Sequence, residues 1–289
     1  MSTTTPNRVA TKSRRDLKSA SRIHRAGVWF RSHLILLIGI LVLIYMFLPV
    51  FVVMALSFNQ PKSRLTYSFD KFTLNNWLHP CAVGDMCNAV GTSLKIGLLS
   101  TLISTFIGTL MAFALVRHKF RGRAVTNLLV FLPMASPEVV MGSSLLTLFV
   151  AIKFPLGFWT ILIAHIMFCI SFVVVTVKAR LAGLDPRLEQ AAMDLYADEW
   201  QTFRRITLPL VMPGIVSAAL LAFSLSFDDF IVTNFNAGST VTFPMFVWGA
   251  AQRGIPPQVN VIGTAMFLFA LTLVVISQLI SSRRRRKLA

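Results

Sequence analysis

Apolar residues run along this chain in six long blocks separated by polar segments. The blocks fall at about 34–57, 91–116, 125–151, 157–177, 209–235 and 260–281. Each approaches or exceeds the roughly 20 mostly apolar residues that let a helix cross a hydrocarbon core about 30 Å thick. The pattern predicts an all-α integral membrane protein with six transmembrane helices. The first block is a span and not a cleaved signal. It follows a basic leader of about thirty residues, its apolar core exceeds the usual 7–15 or so, and no small-residue cleavage site follows.

Composition narrows the class. Of the 289 residues, 55% are hydrophobic and 13% charged. A soluble domain carries about 25% charged residues, so a soluble globule is excluded. Three cysteines are too sparse for a disulfide scaffold. The 24 phenylalanines and the long apolar runs exclude intrinsic disorder for the chain as a whole.

The net charge of +17 would suggest nucleic acid if it were spread over the surface, but it is sorted along the chain. Eight Lys and Arg lie up to Arg31. Four more are Arg117, Lys119, Arg121 and Arg123. Five fall between Lys178 and Arg205, and five between Arg283 and Lys287. The alternate loops hold Lys62, Arg64, Lys71, Lys153 and Arg253, while Lys95 sits where its stem can snorkel. Basic residues accumulate in cytoplasmic loops, so a split of twenty-two to five places both termini inside. Anionic lipid then accounts for the charge without nucleic acid.

Residues 1–30 read as a basic cytoplasmic tail, with the Ser/Thr/Arg-rich stretch 1–27 expected to be disordered. Residues 31–282 form the membrane domain, and 283–289 a second basic tail. Cys81 and Cys87 share the outer loop 58–90, where either a short-loop disulfide or two separate thiols is compatible with the spacing. Cys169 reads as a small apolar residue of the fourth span. No phosphate loop, HExxH or CxxC motif is present, and five scattered histidines do not make a metal site. The chain is read as non-catalytic, with no bound cofactor of its own.

The inner loop 178–208 carries more information. Asp185 and Pro186 give a helix start, and a good helix-forming run from Glu189 to Leu195 follows. Asp198, with Gln201 three residues on, gives a second start. Trp200, Phe203 and Ile206 form an apolar stripe, and Arg204 and Arg205 close the segment where cations suit the helix dipole. Two short helices meeting near Tyr196 and Ala197 make a docking knob for a soluble partner.

This loop, over 185–209, resembles the EAA loop of bacterial ABC importer permeases. The resemblance rests on Glu189, Ala191, Ala192, Asp194, Leu195, Ala197, Ile206, Leu208 and Pro209. The family pattern has Gly where this chain has Tyr196. If that position needs a positive φ, Tyr costs about 1 kcal/mol there. Further stretches extend the resemblance to the second permease subunit of spermidine/putrescine importers. They include Arg117 to Gly122, Ser136 to Met141, Leu156 to Trp159, Phe172 to Val177, and Ser226 to Phe230. The resemblance implies a type I importer permease fold in the bacterial inner membrane. It implies a heterodimer with a second permease, two copies of a cytoplasmic ATPase that binds ATP and Mg, and an external polyamine-binding protein. Glu189, Ala191, Ala192, Asp194, Leu195, Tyr196, Ala197, Arg204 and Pro209 would then couple to the ATPase.

Three carboxylates fall within the apolar blocks: Glu138, Asp228 and Asp229. Such residues are costly in a membrane and normally face a bundle interior or a water-filled path. Glu138 lies near the midplane of its block, among Pro133, Pro137 and Gly142, and broken helices at that depth are tolerated where they line a cavity. Asp228 and Asp229 lie about 30 Å along a helix from Leu208, near the outer end. Adjacent helical residues point about 100° apart, so both need not face one cavity. A polyamine path needs separated carboxylates for ammonium groups and apolar or aromatic walls for methylenes. Asp229, Asp228 and Glu138 are candidates for the first role. Phe227 and Trp248, with Phe230, Phe235 and Trp159, are candidates for the second. Alternatives are the same architecture with another organic cation, thiamine or a metal chelate as cargo, or a six-span channel or membrane enzyme. For the enzyme, Ser224 and Ser226 beside Asp228 are the nearest approach to a nucleophile, and His165 reads as a hydrogen-bonded packing residue.

Overall fold

The computed structural model describes residues 14–63 and 68–286. Residues 1–13, Arg64 and the last three of the basic C-terminal tail lie outside the described residues. The described residues form helices and loops without a sheet. In chain order the helices are α1 (Arg14–Ser57), α2 (Asn75–Leu78), α3 (Met86–Arg117), α4 (Arg123–Ala135), α5 (Glu138–Ala151) and α6 (Phe158–Ala182). There follow α7 (Arg187–Asp194), α8 (Glu199–Thr202), α9 (Leu208–Asp228), α10 (Ile231–Asn236), α11 (Phe243–Arg253) and α12 (Pro257–Arg286). The first helix begins at Arg14, so the second half of the stretch expected to be disordered is helical.

The described residues divide into two compact units, one made of residues 14–59 with 260–286 and the other of the described part of Gln60–Val259. In the first unit Phe47 meets Phe267 edge-on with ring centroids 6.4 Å apart. Within His33–Ser57 the most apolar 18 residues are unburied in this chain, as in a helix that faces lipid or another subunit.

In the second unit α6 is the central helix. His165, Cys169, Val173 and Val177 are all essentially buried along it. Cys169 is a free thiol in this core, as its apolar setting suggested. Gly108 lets α3 approach α6 closely, because a Cβ there would lie 2.7 Å from Val173 Cγ1. A packed core of this density tolerates no such overlap. In the outer loop Cys81 and Cys87 form a disulfide with Cα atoms 5.5 Å apart, which decides between the two options the spacing allowed. Asp70 accepts the backbone N–H of Lys62 at 2.9 Å and the Ser68 hydroxyl at 3.1 Å. The Lys62 bond is the main cause holding its carboxyl below the usual range.

Among the described residues, four helices are long and apolar enough to cross a membrane: His33–Ser57, α3, α6 and the continuous stretch Glu199–Asp228. The expected third span is not one rod. It is α4 and α5, joined at a bend of 108°. Ser136 and Pro137 take ψ near 135°, because the residue before a proline is driven out of the helical region. The expected fifth span also ends early: α9 stops at Asp228 and the chain turns before α10. The apolar part of the sixth segment is described over Pro257–Thr272.

The inner loop is shorter than its polar composition suggested. α6 carries Lys178 and Arg180 as helical residues, with Lys178 Nζ donating to Asn127 Oδ1 at 2.7 Å. At the far end Arg204 and Arg205 do not close a helix. Phe203–Thr207 is a π-turn that carries α8 straight into α9. Such single π-turns occur inside otherwise α-helical stretches, and here the turn lies just before Pro209, which lacks an amide N–H.

Candidate functional site

The elbow between α4 and α5, the middle of α6 and the break between α9 and α10 enclose a cavity of about 510 Å³. Glu138 enters it from the first turn of α5, where a helix N-terminus favours a carboxylate. Asp228 and Asp229 line it from the break between α9 and α10. All three intramembrane carboxylates therefore line one space. The expectation that Asp228 and Asp229 could diverge rested on an unbroken helix. Asp229 has left the helix, with ψ at 122°, and that turns both side chains to the same cavity.

The two aspartates differ in their surroundings. Asp228 is exposed. The side chain of Asp229 is only 7% exposed. Its Oδ2 accepts the Thr233 backbone N–H at 2.7 Å and the Thr233 hydroxyl at 2.8 Å. Its Oδ1 accepts the Val232 N–H at 3.3 Å. These bonds satisfy free donors in the first turn of α10. His165 Nε2 lies 3.3 Å from Asp229 Oδ2 and 2.9 Å from Thr233 Oγ1. Its Nδ1 lies 2.7 Å from Ser226 Oγ, which is 2.8 Å from Ser100 Oγ. His165 is thus the hydrogen-bonded packing residue it was read as. The Ser226–His165–Asp229 array was not foreseen, because His165 is 61 residues from Ser226. The Ser226 hydroxyl is buried against Ser100 and away from solvent, a setting that gives a nucleophile no substrate access.

The aromatic candidates mostly fall elsewhere. Phe230 lines the cavity, joined by Phe168 and Phe172, which the sequence reading missed. Phe227 does not line it. That ring stacks on Phe223 at 5.8 Å and meets Phe243 at 6.3 Å. Trp248 does not line the cavity either; its ring packs on Phe230 at 5.1 Å, and the residue is 57% exposed. Trp159 packs edge-on to Phe158. Phe235 packs over Gly142, where a Cβ would lie 2.8 Å from its ring. Gly142 therefore serves close approach of α10 to α5, and the elbow itself is made by Ser136 and Pro137.

The second candidate region is the inner loop. Asp185 Oδ1 accepts the Arg187 N–H at 2.9 Å, and Asp198 Oδ1 accepts the Gln201 N–H at 2.6 Å, so both start signals operate. Between them α7 ends in a Schellman closure: Ala197 N–H donates to Ala192 O and Tyr196 N–H to Met193 O. This closure puts Tyr196 at φ +63°, the left-handed position that glycine occupies most easily. Glu189 faces inward. Its Oε1 accepts from Arg117 Nη2 at 2.5 Å and from Thr207 Oγ1 at 2.7 Å, pinning α7 to the end of α3 and to the π-turn. Ala192 is buried behind it. Ala191, Asp194, Leu195, Tyr196, Arg204 and Pro209 are exposed, and Ala197 is half-buried. Leu195 and Tyr196 are 81% and 99% exposed, with Trp200 beside them at 66%.

Comparisons with known proteins agree with this geometry. The sequence profile of binding-protein-dependent transport system inner membrane components matches residues 104–287. The spermidine/putrescine transport system permease protein PotC of Haemophilus influenzae is 38% identical over 241 residues, 83% of this chain and 93% of that one. The putrescine transport system permease protein PotI of Escherichia coli K12 is 40% identical over 188 residues, 62% of this chain and 66% of that one. A solved bacterial ABC transporter involved in the import of the acidic polysaccharide alginate superposes with a TM-score of 0.64 at 16% identity. That match covers 92% of this chain and 99% of the other, and it supports the fold alone.

A helical membrane domain, a cavity at broken helices and a braced inner loop define a transport permease. The chain belongs to the family of binding-protein-dependent transport system inner membrane components. It is accordingly a multi-pass protein of the bacterial inner membrane, and its family is one of permeases and not of catalytic subunits.

Proposed function

We propose that this chain is one permease half of an ATP-driven polyamine importer. It crosses the membrane six times, with the α4–α5 elbow as third span, α12 as sixth, and both termini in the cytoplasm. The permease domain spans 31–282. Its partners are a second permease, two copies of a cytoplasmic ATPase that binds ATP and Mg, and an external binding protein that delivers spermidine or putrescine.

The observation that carries this reading is one cavity lined by Glu138, Asp228 and Asp229 together with Phe168, Phe172 and Phe230. Carboxylates attract the ammonium groups, and the rings accept methylenes and add cation–π attraction. Intramembrane acids set in a cavity favour a cationic cargo, and the relatives named for spermidine and putrescine agree. Asp228 and Glu138, both exposed to the cavity, contact the ammonium groups. Asp229 is engaged by α10 and His165, and contributes a fixed charge to the wall. Trp248 supports the wall through its ring contact with Phe230, and Phe227, which packs on Phe223 and Phe243, has no direct part in it.

At the inner face α7 and α8 seat in the ATPase through Leu195, Tyr196, Trp200 and their neighbours Ala191, Asp194 and Arg204. Glu189, Ala192, Ala197 and Pro209 hold that knob on the membrane helices, so ATPase closure is transmitted to α3 and α9. The test is uptake of labelled spermidine by cells with and without this gene, in a background lacking other polyamine importers. Loss of saturable uptake on deletion, restored by the gene, supports the proposal. Unchanged uptake on deletion overturns the polyamine part and leaves the permease fold standing.

A further inference from the structure

The hydrogen bonds around His165 leave little freedom in where its protons lie. An ionised Asp229 only accepts. The Thr233 hydroxyl, 2.8 Å from Asp229 Oδ2, therefore donates to it. Having spent its one proton, Thr233 Oγ1 accepts from His165 Nε2 at 2.9 Å. Nε2 thus carries a proton whether the ring is neutral or charged, and that proton also points toward Asp229 Oδ2 at 3.3 Å. At the other end Nδ1 meets Ser226 Oγ at 2.7 Å, and Ser226 meets Ser100 at 2.8 Å. Two hydroxyls in series can donate in either direction, so this end adapts to either charge state while the ring stays fixed. The ring is 1% exposed, at the junction of α3, α6, α9 and α10.

We propose that His165 is a positioning residue of the cavity. Its Nε2–H holds Asp229 and Thr233 so that the break between α9 and α10 keeps one shape. That shape fixes the spacing of Asp228 and Asp229 relative to Glu138 across the cavity, and so fixes which separation of cationic groups the cavity accepts. Nothing about His165 requires that it touch the cargo. This inference rests on the polyamine reading for its cargo, but not for its hydrogen-bond arrangement.

The geometry separates two substitutions that are usually grouped. In His165→Gln the amide nitrogen reaches the place of Nε2 and can donate to Thr233 and Asp229. In His165→Asn the shorter amide reaches the place of Nδ1 and serves only Ser226. His165→Phe fills the volume and serves neither. Initial uptake of a diamine and a triamine is measured in vesicles holding the complete transporter at saturating loaded binding protein, corrected for the amount of permease inserted. His165→Phe and His165→Asn are expected to lose about tenfold or more in rate and to alter the diamine-to-triamine ratio. His165→Gln is expected to stay within about threefold of the parent with the ratio kept, the loss of one buried charge-assisted hydrogen bond being the scale of the difference. Asn rescuing as well as Gln, or Phe transporting normally, overturns the proposal.

A second measurement needs no cargo. Nitrogen NMR of histidine-labelled transporter is expected to show a protonated Nε2 at His165 that moves on Asp229→Asn and on Thr233→Val. A bare Nε2 overturns the proposal. Vesicles that import no polyamine at all, with a protonated and coupled Nε2, would contradict the cargo and leave the positioning role intact.

Discussion

The cavity and the inner loop are built on a shared device with opposite electrostatic settings. Each contains a carboxylate held by donors from two other segments: Asp229 by α10 and His165, and Glu189 by Arg117 and Thr207. Each has an exposed acid nearby, Asp228 in the cavity and Glu199 in the loop. Glu189 is bound by a guanidinium, which cancels its charge while fixing its position. Asp229 is bound by amide and hydroxyl dipoles and an imidazole, with no Lys or Arg in the set. A brace that must move as a unit with its helices gains from neutrality. A wall that must attract a cation gains from a carboxylate whose charge is fixed in place but not cancelled by arginine.

That contrast can be broken most forcefully at the loop. Glu189→Lys places a cation against Arg117 and leaves Thr207 without its acceptor. We expect a loss of about 2 kcal/mol or more in the seating of α7. ATP hydrolysis should uncouple from uptake in reconstituted transporter, and normal substrate-stimulated hydrolysis would remove the brace from the account. Asp229→Asn comes next. An amide cannot accept from Val232, Thr233 and His165 at once, so one buried donor is left unmade at a cost of about 1–3 kcal/mol. Uptake should fall about tenfold or more with the protein still inserted, whereas a normal rate would show that the wall needs no fixed charge.

Thr207→Val sharpens the comparison within the loop. It keeps Arg117 on Glu189 and removes only the hydroxyl, so about 1 kcal/mol is expected, read as faster amide exchange in α7 with coupling largely kept. Tyr196→Gly should act with the opposite sign and the smallest size. Relief of the left-handed conformation is worth about 1 kcal/mol at most, visible as slower exchange in α7. Because Tyr196 is almost fully exposed, any accompanying loss of ATPase coupling measures its contact with the partner.

Much of this was legible in the sequence. Apolar length located the membrane segments, and Asp185, Asp198 and the Glu189–Pro209 spacing located the loop and its turn, while the glycine of the resembled family pointed to Tyr196 as a position that could need a positive φ, which it has. What escaped depends on partners distant in sequence. Glu189 was read as a contact for another protein, because nothing local says that Arg117, 72 residues earlier, takes its carboxylate. His165 was placed correctly as a packing residue, but its link to Asp229 crosses two helices. The end of α9 had a local signal that went unused: Asp229 followed by Thr233 can satisfy the first turn of a new helix. The aromatic wall was misjudged because 24 phenylalanines offer too many candidates, and Phe168 and Phe172 are picked out only by the packing of α6 against segments distant in sequence.

The central claim is that Glu138 and Asp228 present free carboxylates to a polyamine in the cavity. The most direct measurement is the initial rate of spermidine uptake by vesicles holding the complete transporter, comparing the parent with Glu138→Gln, Asp228→Asn and the double variant. Binding-protein affinity and ATPase assembly are checked to be unchanged. A fall of about tenfold is expected for each single change, and a nearly silent double variant. A double variant that imports spermidine at the parental rate would contradict it.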